Sequence, residues 1–318
     1  MANDLSSFKR QIPSIDLNDY RFTFYGQPGS GKSSTAFYFF NDPIFFAWEK
    51  GQKTLPAFIW ECYTWKDMLD FIKQAKRLAK AGEDQDIKDK VIIMDTAEIM
   101  RDASEIYVCE MNGWDSPSDG EWGSGFAECR REFERKVEEL ESMGFKVNFI
   151  AHDKIQNVER KDGEKYDKTT LMLGSSAINA VIKKVDIVMY FDFEYEKDKD
   201  GNTIKRRVVR FGGGDKYEAK CRIPGFPELV YSGDSPEETA KILRDLFTEK
   251  LTEMTDEQLA KLKEINQKEV KPIPEKVETP KEDVVTKQEV NELSDKAMEL
   301  CKTKVCEASD IADLVKKH

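Results

Sequence analysis

The stretch Tyr20-Arg21-Phe22-Thr23-Phe24-Tyr25-Gly26-Gln27-Pro28-Gly29-Ser30-Gly31-Lys32-Ser33-Ser34 decides how this sequence is read. Its first six residues are an apolar run of the kind that forms a buried strand, and the residues from about 33 to 40 read as a helix. Between them, Gly26 to Ser33 fit the pattern GxxxxGK[ST], in the strand–loop–helix setting that this pattern requires. Glycines let the backbone close round a phosphate group, so that several N–H groups and the positive end of the following helix face the anion. Gly26, Gln27, Pro28, Gly29, Ser30, Gly31, Lys32, Ser33 and Ser34 are therefore the candidate nucleotide-binding residues. Lys32 adds a cation between the outer phosphates, and the Ser33 hydroxyl is a candidate Mg²⁺ ligand.

Working outward, apolar runs at 43–48, 90–94, 146–151 and 185–193 alternate with helical patterns at about 65–81, 97–111, 125–143 and 176–184. Such alternation predicts an α/β fold with a mostly parallel sheet and helices on its faces. A turn-rich segment from Asp198 to Asn202 joins VMYFDFEYE to IKRRVVRF and predicts an antiparallel hairpin after the parallel core. The run Lys90–Met94 ends in Asp95, a strand-end acid placed to hold Mg²⁺ together with Ser33. Taken alone, Asp95 reads equally as a cap for the next helix. The strand at 43–48 ends in Glu49, the candidate to orient and deprotonate an attacking water; the alternative is an ordinary solvated strand-end acid.

The order of these elements resembles the RecA core. FFAWEKG is similar to the strand of that family that ends in a catalytic glutamate. FIAHDK resembles the strand ending in a polar γ-phosphate sensor, with His152 where the family usually has glutamine. YEAKCR, holding Lys220 and Arg222, resembles the paired basic residues that reach a nucleotide on the neighbouring subunit. The closest likeness is to the short RecA-like ATPases of bacteriophages, an AAA-domain nucleotide-binding group that includes Sak-type single-strand annealing proteins. It covers about residues 15–230. The resemblance implies a RecA-like ATPase domain over 1–250, catalytic Glu49, Lys32, His152, Lys220 and Arg222, the cofactors ATP and Mg²⁺, and single-stranded DNA as a partner. It also implies a homo-oligomer in which Lys220 and Arg222 act in trans. Read without it, His152 is a satisfied structural histidine, and Lys220 and Arg222 are a basic stripe on an edge strand.

Two loops are the candidate DNA contacts. Residues 112–123 carry Trp114 and Trp122, aromatic rings able to stack on bases, among acids that suit a lid or subunit contact equally well. Residues 153–172 carry Lys154, Arg160, Lys161, Lys165 and Lys168 against five acids, for a net charge of zero. Lys205, Arg206, Arg207 and Arg210 on the predicted hairpin form the densest basic patch, of a kind that edge strands also carry to avoid aggregation.

The whole chain of 318 residues has a formal net charge of −11, 39% hydrophobic and 35% charged residues, and a mean hydropathy of −0.63. That balance excludes a general basic footprint for duplex DNA or anionic membranes. No apolar run reaches the ~18–20 residues that span a bilayer, and MANDLSSFKRQIPS has no signal-peptide core, so a cytoplasmic protein, in the host cytoplasm if phage-encoded, is expected. The six cysteines are expected to be reduced thiols rather than a zinc site. Beyond the core, 251–267 reads as a connecting helix, 268–287 as a charged, proline-containing linker and 288–318 as a small helical tail that either binds a protein partner or packs back. The alternative function is a nucleotide-gated switch or assembly factor without direct DNA activity. A small-molecule kinase ranks third, because no arginine-rich lid follows the core.

Overall fold

In a computed structural model of the chain, the described residues are 12–269 apart from 175 and 198, with side chains described as far as residue 261. The strands are β1 (Phe22–Gly26), β2 (Ile44–Ala47), β3 (Phe58–Glu61), β4 (Val91–Asp95), β5 (Lys146–Ala151), β6 (Asp153–Glu159), β7 (Lys165–Leu171), β8 (Ile187–Lys197), β9 (Thr203–Arg210), β10 (Lys220–Cys221) and β11 (Leu229–Tyr231). The helices are α1 (Lys32–Phe39), α2 (Trp65–Ala81), α3 (Ala97–Asn112), α4 (Ser124–Ser142) and α5 (Pro236–Glu269), with a short π-helix at Asn179–Lys183.

The main sheet runs β11-β9-β8-β1-β5-β4-β2-β3, with β10 against β8. Neighbours from β3 to β8 pair parallel, while β8–β9, β9–β11 and β8–β10 pair antiparallel. This is the expected α/β architecture, with the expected hairpin realised as β8–β9. The parallel strands were recognisable because helices cover both faces, which demands continuous apolar runs. β1, for example, is buried at all five positions.

Alternation along β1 sends its side chains into two cores. Phe22 and Phe24 join Phe39, Phe40, Phe191, Leu243 and Phe247 on the α1–α5 face, whereas Tyr25 joins Trp65, Met68, Phe71 and Phe133 on the α2–α4 face. The first layer is built on edge-to-face rings, such as Phe22 against Phe247 with centroids 5.4 Å apart. Helix α2 starts at a capping box, in which Thr64 and Asp67 satisfy each other's orphan N–H groups, and ends at Gly82 in the left-handed region. Helix α5 buries Ala240, Leu243, Phe247 and Leu251 and continues without interruption through the segment expected as a connecting helix. The linker at 268–287 lies almost wholly, and the tail at 288–318 wholly, outside the described residues.

One expectation is overturned. Residues 153–171 form a two-stranded antiparallel ribbon, β6–β7, rather than a loop. Both of its faces are polar, so it lacks the one-sided apolar alternation that announces a strand; Asp162-Gly163 makes the turn, with Gly163 at φ 88°. The ribbon is anchored by Thr169, whose N–H donates to the Lys216 carbonyl and whose carbonyl accepts from the Glu218 N–H, both at 2.9 Å. Edge strand β3 also has no counterpart in the sequence reading, because Phe58 and Ile59 are exposed.

Candidate nucleotide site

The glycine loop leaves β1 at the carboxyl edge of the sheet, beside the point where the chain leaps from β1 across β5 and β4 to β2. In open α/β sheets that switch point is where ligands bind. Gly26 is required there by close approach: a Cβ would lie 2.2 Å from the carbonyl oxygen of Phe191. Gly31 caps α1 at φ 95° and offers no side chain to the helix's first N–H groups. Those orphan donors and the helix dipole are left for an anion.

Lys32 is buried, and its Nζ donates to the carbonyl oxygens of Gly26 at 2.8 Å and Gln27 at 3.0 Å. Its ammonium is thus fixed against the loop. Burial lowers its pKa, while Asp95, Asp153, Glu98 and Glu49 oppose that shift. Four carboxylates therefore bear on one ammonium.

Asp95, at the end of β4, is 1% exposed. Its Oδ2 accepts from Gln52 Nε2 at 2.7 Å, and its Oδ1 has no hydrogen-bond partner. Burial pushes its carboxyl up, against the Gln52 hydrogen bond and the neighbouring Ser33 hydroxyl. Glu49 follows β2, and the preceding N–H, of Trp48, donates to the Asp95 carbonyl oxygen at 2.8 Å, which ties the ends of β2 and β4 together. Glu49 is half-buried and close enough to Asp95 and Lys32 to act on the charge of both. A buried, under-partnered carboxylate beside a serine hydroxyl, in a pocket of excess negative charge, fits a divalent cation.

His152 follows β5. Its Nδ1 lies 2.5 Å from Glu98 Oε1, and its backbone N–H approaches the same oxygen at 3.3 Å. Glu98, near the start of α3, is itself buried. The structure thus assembles Lys32, Ser33, Glu49, Asp95 and His152 around one edge and adds Gln52, Glu98 and Asp153, which sequence reading did not single out. Glu98 could have been suspected from its place three residues after Asp95, and Asp153 from its place beside His152. Gln52 carries no local signal.

Lys220 and Arg222 are not brought into this group. Residue 220 pairs with Val188, toward the opposite end of β8 from Phe191, which faces Gly26. The Lys220 ammonium donates to the carbonyls of Ile182, Lys183 and Val185. Arg222 bonds Asp186 Oδ1 at 2.9 Å and the Lys183 carbonyl at 3.2 Å. Both cap the negative end of the π-helix, as cations commonly do at helix C-termini.

The candidate DNA residues are scattered. Trp122 is fully exposed and Trp114 half-buried, in a segment organised by Asp119, whose carboxylate accepts from the N–H groups of Asp115 and Ser116. On the ribbon, Lys154 donates to the Leu173 carbonyl, Arg160 pairs with Glu164 and Asp215, and Lys165 lies 3.8 Å from Glu159. Lys161 is exposed at the turn.

Fold and site together define a P-loop nucleotide-binding protein. A family model described as an AAA domain matches residues 18–223, and the chain belongs to that family. No curated protein matches the chain. Among the described residues, no helix is long and apolar enough to cross a membrane.

Proposed function

We propose that this protein is a Mg²⁺-dependent ATPase of RecA-like type that couples ATP binding and hydrolysis to action on single-stranded DNA in recombination or annealing. The observation that supports it best is the grouping of fixed Lys32, buried Asp95 and half-buried Glu49 beside the uncapped start of α1. The loop amides and Lys32 bind the phosphates; Lys32, already anchored to two carbonyls, supplies its charge without reorganising. Ser33 and Asp95 would hold Mg²⁺, which when bound neutralises phosphate charge and orients the chain of oxygens. Glu49 orients the attacking water and its carboxylate accepts the proton, while Gln52 fixes the Asp95 carboxylate. His152, held through Nδ1 by Glu98, links that edge to ribbon β6–β7, which begins at the next residue.

A second reading, a nucleotide-gated switch or assembly factor that binds a protein, is favoured by the engagement of Lys154, Arg160 and Lys165 within the protein. ATP turnover with and without oligothymidylate, at low and moderate salt, separates the two. Stimulation that weakens with salt supports the DNA-coupled reading. Turnover indifferent to DNA moves the function to the switch.

A further inference from the structure

The densest basic patch of the sequence is split in two by the register of the β8–β9 hairpin. Directly paired residues share a face, and successive residues alternate. Asp192, Glu194 and Glu196 stand on one face with Val208, Arg206 and Ile204. There Arg210 pairs with Asp192 and Glu194, and Arg206 pairs with Glu196, so the charge is neutralised. The opposite face carries Phe193, Tyr195 and Lys197 on β8 and Arg207, Lys205 and Thr203 on β9. It holds three cations and two aromatic rings, and none of these strand residues is acidic. Lys205 Nζ lies 3.7 Å from the Phe193 ring centroid and 5.8 Å from that of Tyr195. Tyr195 is 63% exposed, and Lys197, Lys205 and Arg207 are exposed as well.

The face also has a definite position. Phe191, on the same side of β8, pairs with Gly26 and is buried against α1 and α5. At roughly 3.3 Å per residue, Phe193 and Tyr195 rise about 7 and 13 Å beyond the level of Gly26, where β1 ends. The hairpin thus projects past the sheet edge on the nucleotide side.

We propose that this face, formed by Tyr195, Phe193, Lys205, Arg207 and Lys197, is a binding surface for single-stranded nucleic acid; this rests on the DNA-coupled reading above and gives it a site. The exposed Tyr195 ring, beside half-buried Phe193 and interleaved with cations, is what an unpaired base and its phosphates require: a stacking platform beside an electrostatic track. Protection of an edge strand explains charge alone. It explains neither the exposed Tyr195 ring nor the confinement of the strand acids to the other face. A duplex buries its base faces and gives these rings nothing to stack on. In a chain of net charge −11, the local excess of positive charge also marks a surface built for an anion.

The test is binding of fluorescent oligothymidylate to the full chain in Mg²⁺ and ATP, followed by anisotropy across a salt series. The Lys205→Ala/Arg207→Ala variant is expected to weaken binding about tenfold or more and to flatten the plot of log affinity against log salt by about 1.4, two phosphate contacts' worth for a single strand. Tyr195→Ala is expected to weaken it at least about fivefold, with Tyr195→Phe restoring it, since the stacked ring survives. Arg206→Ala removes a charge from the same strand but from the other face, and is expected to change affinity less than twofold. Photocrosslinking of a halogenated oligonucleotide to wild-type Tyr195, located by mass spectrometry, tests the same contact without any variant.

Equal weakening by Arg206→Ala, or wild-type affinity in Lys205→Ala/Arg207→Ala, overturns the site while leaving the DNA-coupled reading intact. Failure of the wild type both to bind oligothymidylate and to be stimulated by it removes that reading and the site with it. Loss of ATP affinity in Tyr195→Ala with unchanged DNA affinity reassigns the face to the base of the bound nucleotide. Wild-type capture by phosphatidylserine vesicles, but not by oligothymidylate, reassigns it to a lipid surface.

Discussion

Replacing Asp95 by Asn should make the nucleotide-free protein more stable and the nucleotide-bound protein less so. Asp95 is 1% exposed, and one of its carboxylate oxygens has no hydrogen-bond partner. Leaving such a buried acceptor unsatisfied costs about 1–3 kcal/mol, and more when it is charged. Burial pushes the carboxyl up in spite of Gln52 and Ser33, so the fold disfavours the charged form. Asn keeps an oxygen for Gln52 Nε2, and Lys32 retains Glu49, Glu98 and Asp153 as charge partners. The substitution should therefore add about 1–2 kcal/mol, which at about 2–4 °C per kcal/mol for a domain of this size raises Tm by roughly 2–8 °C. In the wild type, Mg²⁺ and ATP at a hundredfold excess over Kd should add about 2.7 kcal/mol, and that increment should be absent from Asp95→Asn. Differential scanning calorimetry with and without Mg²⁺ and ATP reads both numbers. A lower Tm for nucleotide-free Asp95→Asn, or an undiminished Mg²⁺-dependent shift, would refute the assignment of Asp95 to a metal.

Two further outcomes are expected. Lys220→Ala should lower Tm, because three carbonyls at the end of the π-helix lose their donor, while turnover per folded molecule stays at the wild-type value; turnover that collapses with Tm unchanged would instead assign Lys220 to a neighbouring subunit's nucleotide. Asp67→Asn should cost about 1 kcal/mol at neutral pH through the loss of the α2 cap. Although burial opposes it, hydrogen bonds from the Thr64 and Tyr63 N–H groups and the Thr64 hydroxyl hold the Asp67 carboxyl below its ordinary value. A depressed carboxylate stabilises the fold above its unfolded pKa of about 3.9 and ceases to do so as pH falls through the lower folded value. The gap between wild type and Asp67→Asn in urea unfolding should therefore be constant above about pH 5 and close below about pH 4; a gap independent of pH would contradict the cap.

Much of the frame was readable because its physics is local. Strands β1, β2, β4 and β5 are covered on both faces and so appear as unbroken apolar runs, and the glycine loop has a fixed spacing. Ribbon β6–β7 escaped because its exposed faces impose no alternation, leaving only Asp162-Gly163 as a turn signal. Gln52 and Glu98 escaped for a different reason. Their importance comes from burial beside charged partners, at Asp95 and His152, which are distant in sequence. Lys220 and Arg222 satisfy carbonyls some 35–39 residues away, a use that no spacing of two basic residues could announce. The hairpin cations were visible as a cluster, but only the cross-strand register separates Arg206 and Arg210, on the face of the strand acids, from Lys205 and Arg207 on the face of the rings.

The proposed role of Glu49 as the base in ATP hydrolysis is read out by steady-state ATP turnover of wild type and Glu49→Gln beside equilibrium ATP binding by both. If Glu49 is that base, the wild type shows Mg²⁺-dependent turnover, and Glu49→Gln loses about 10²-fold or more of it while keeping ATP affinity within a few-fold of wild type. Turnover undiminished in Glu49→Gln would contradict it.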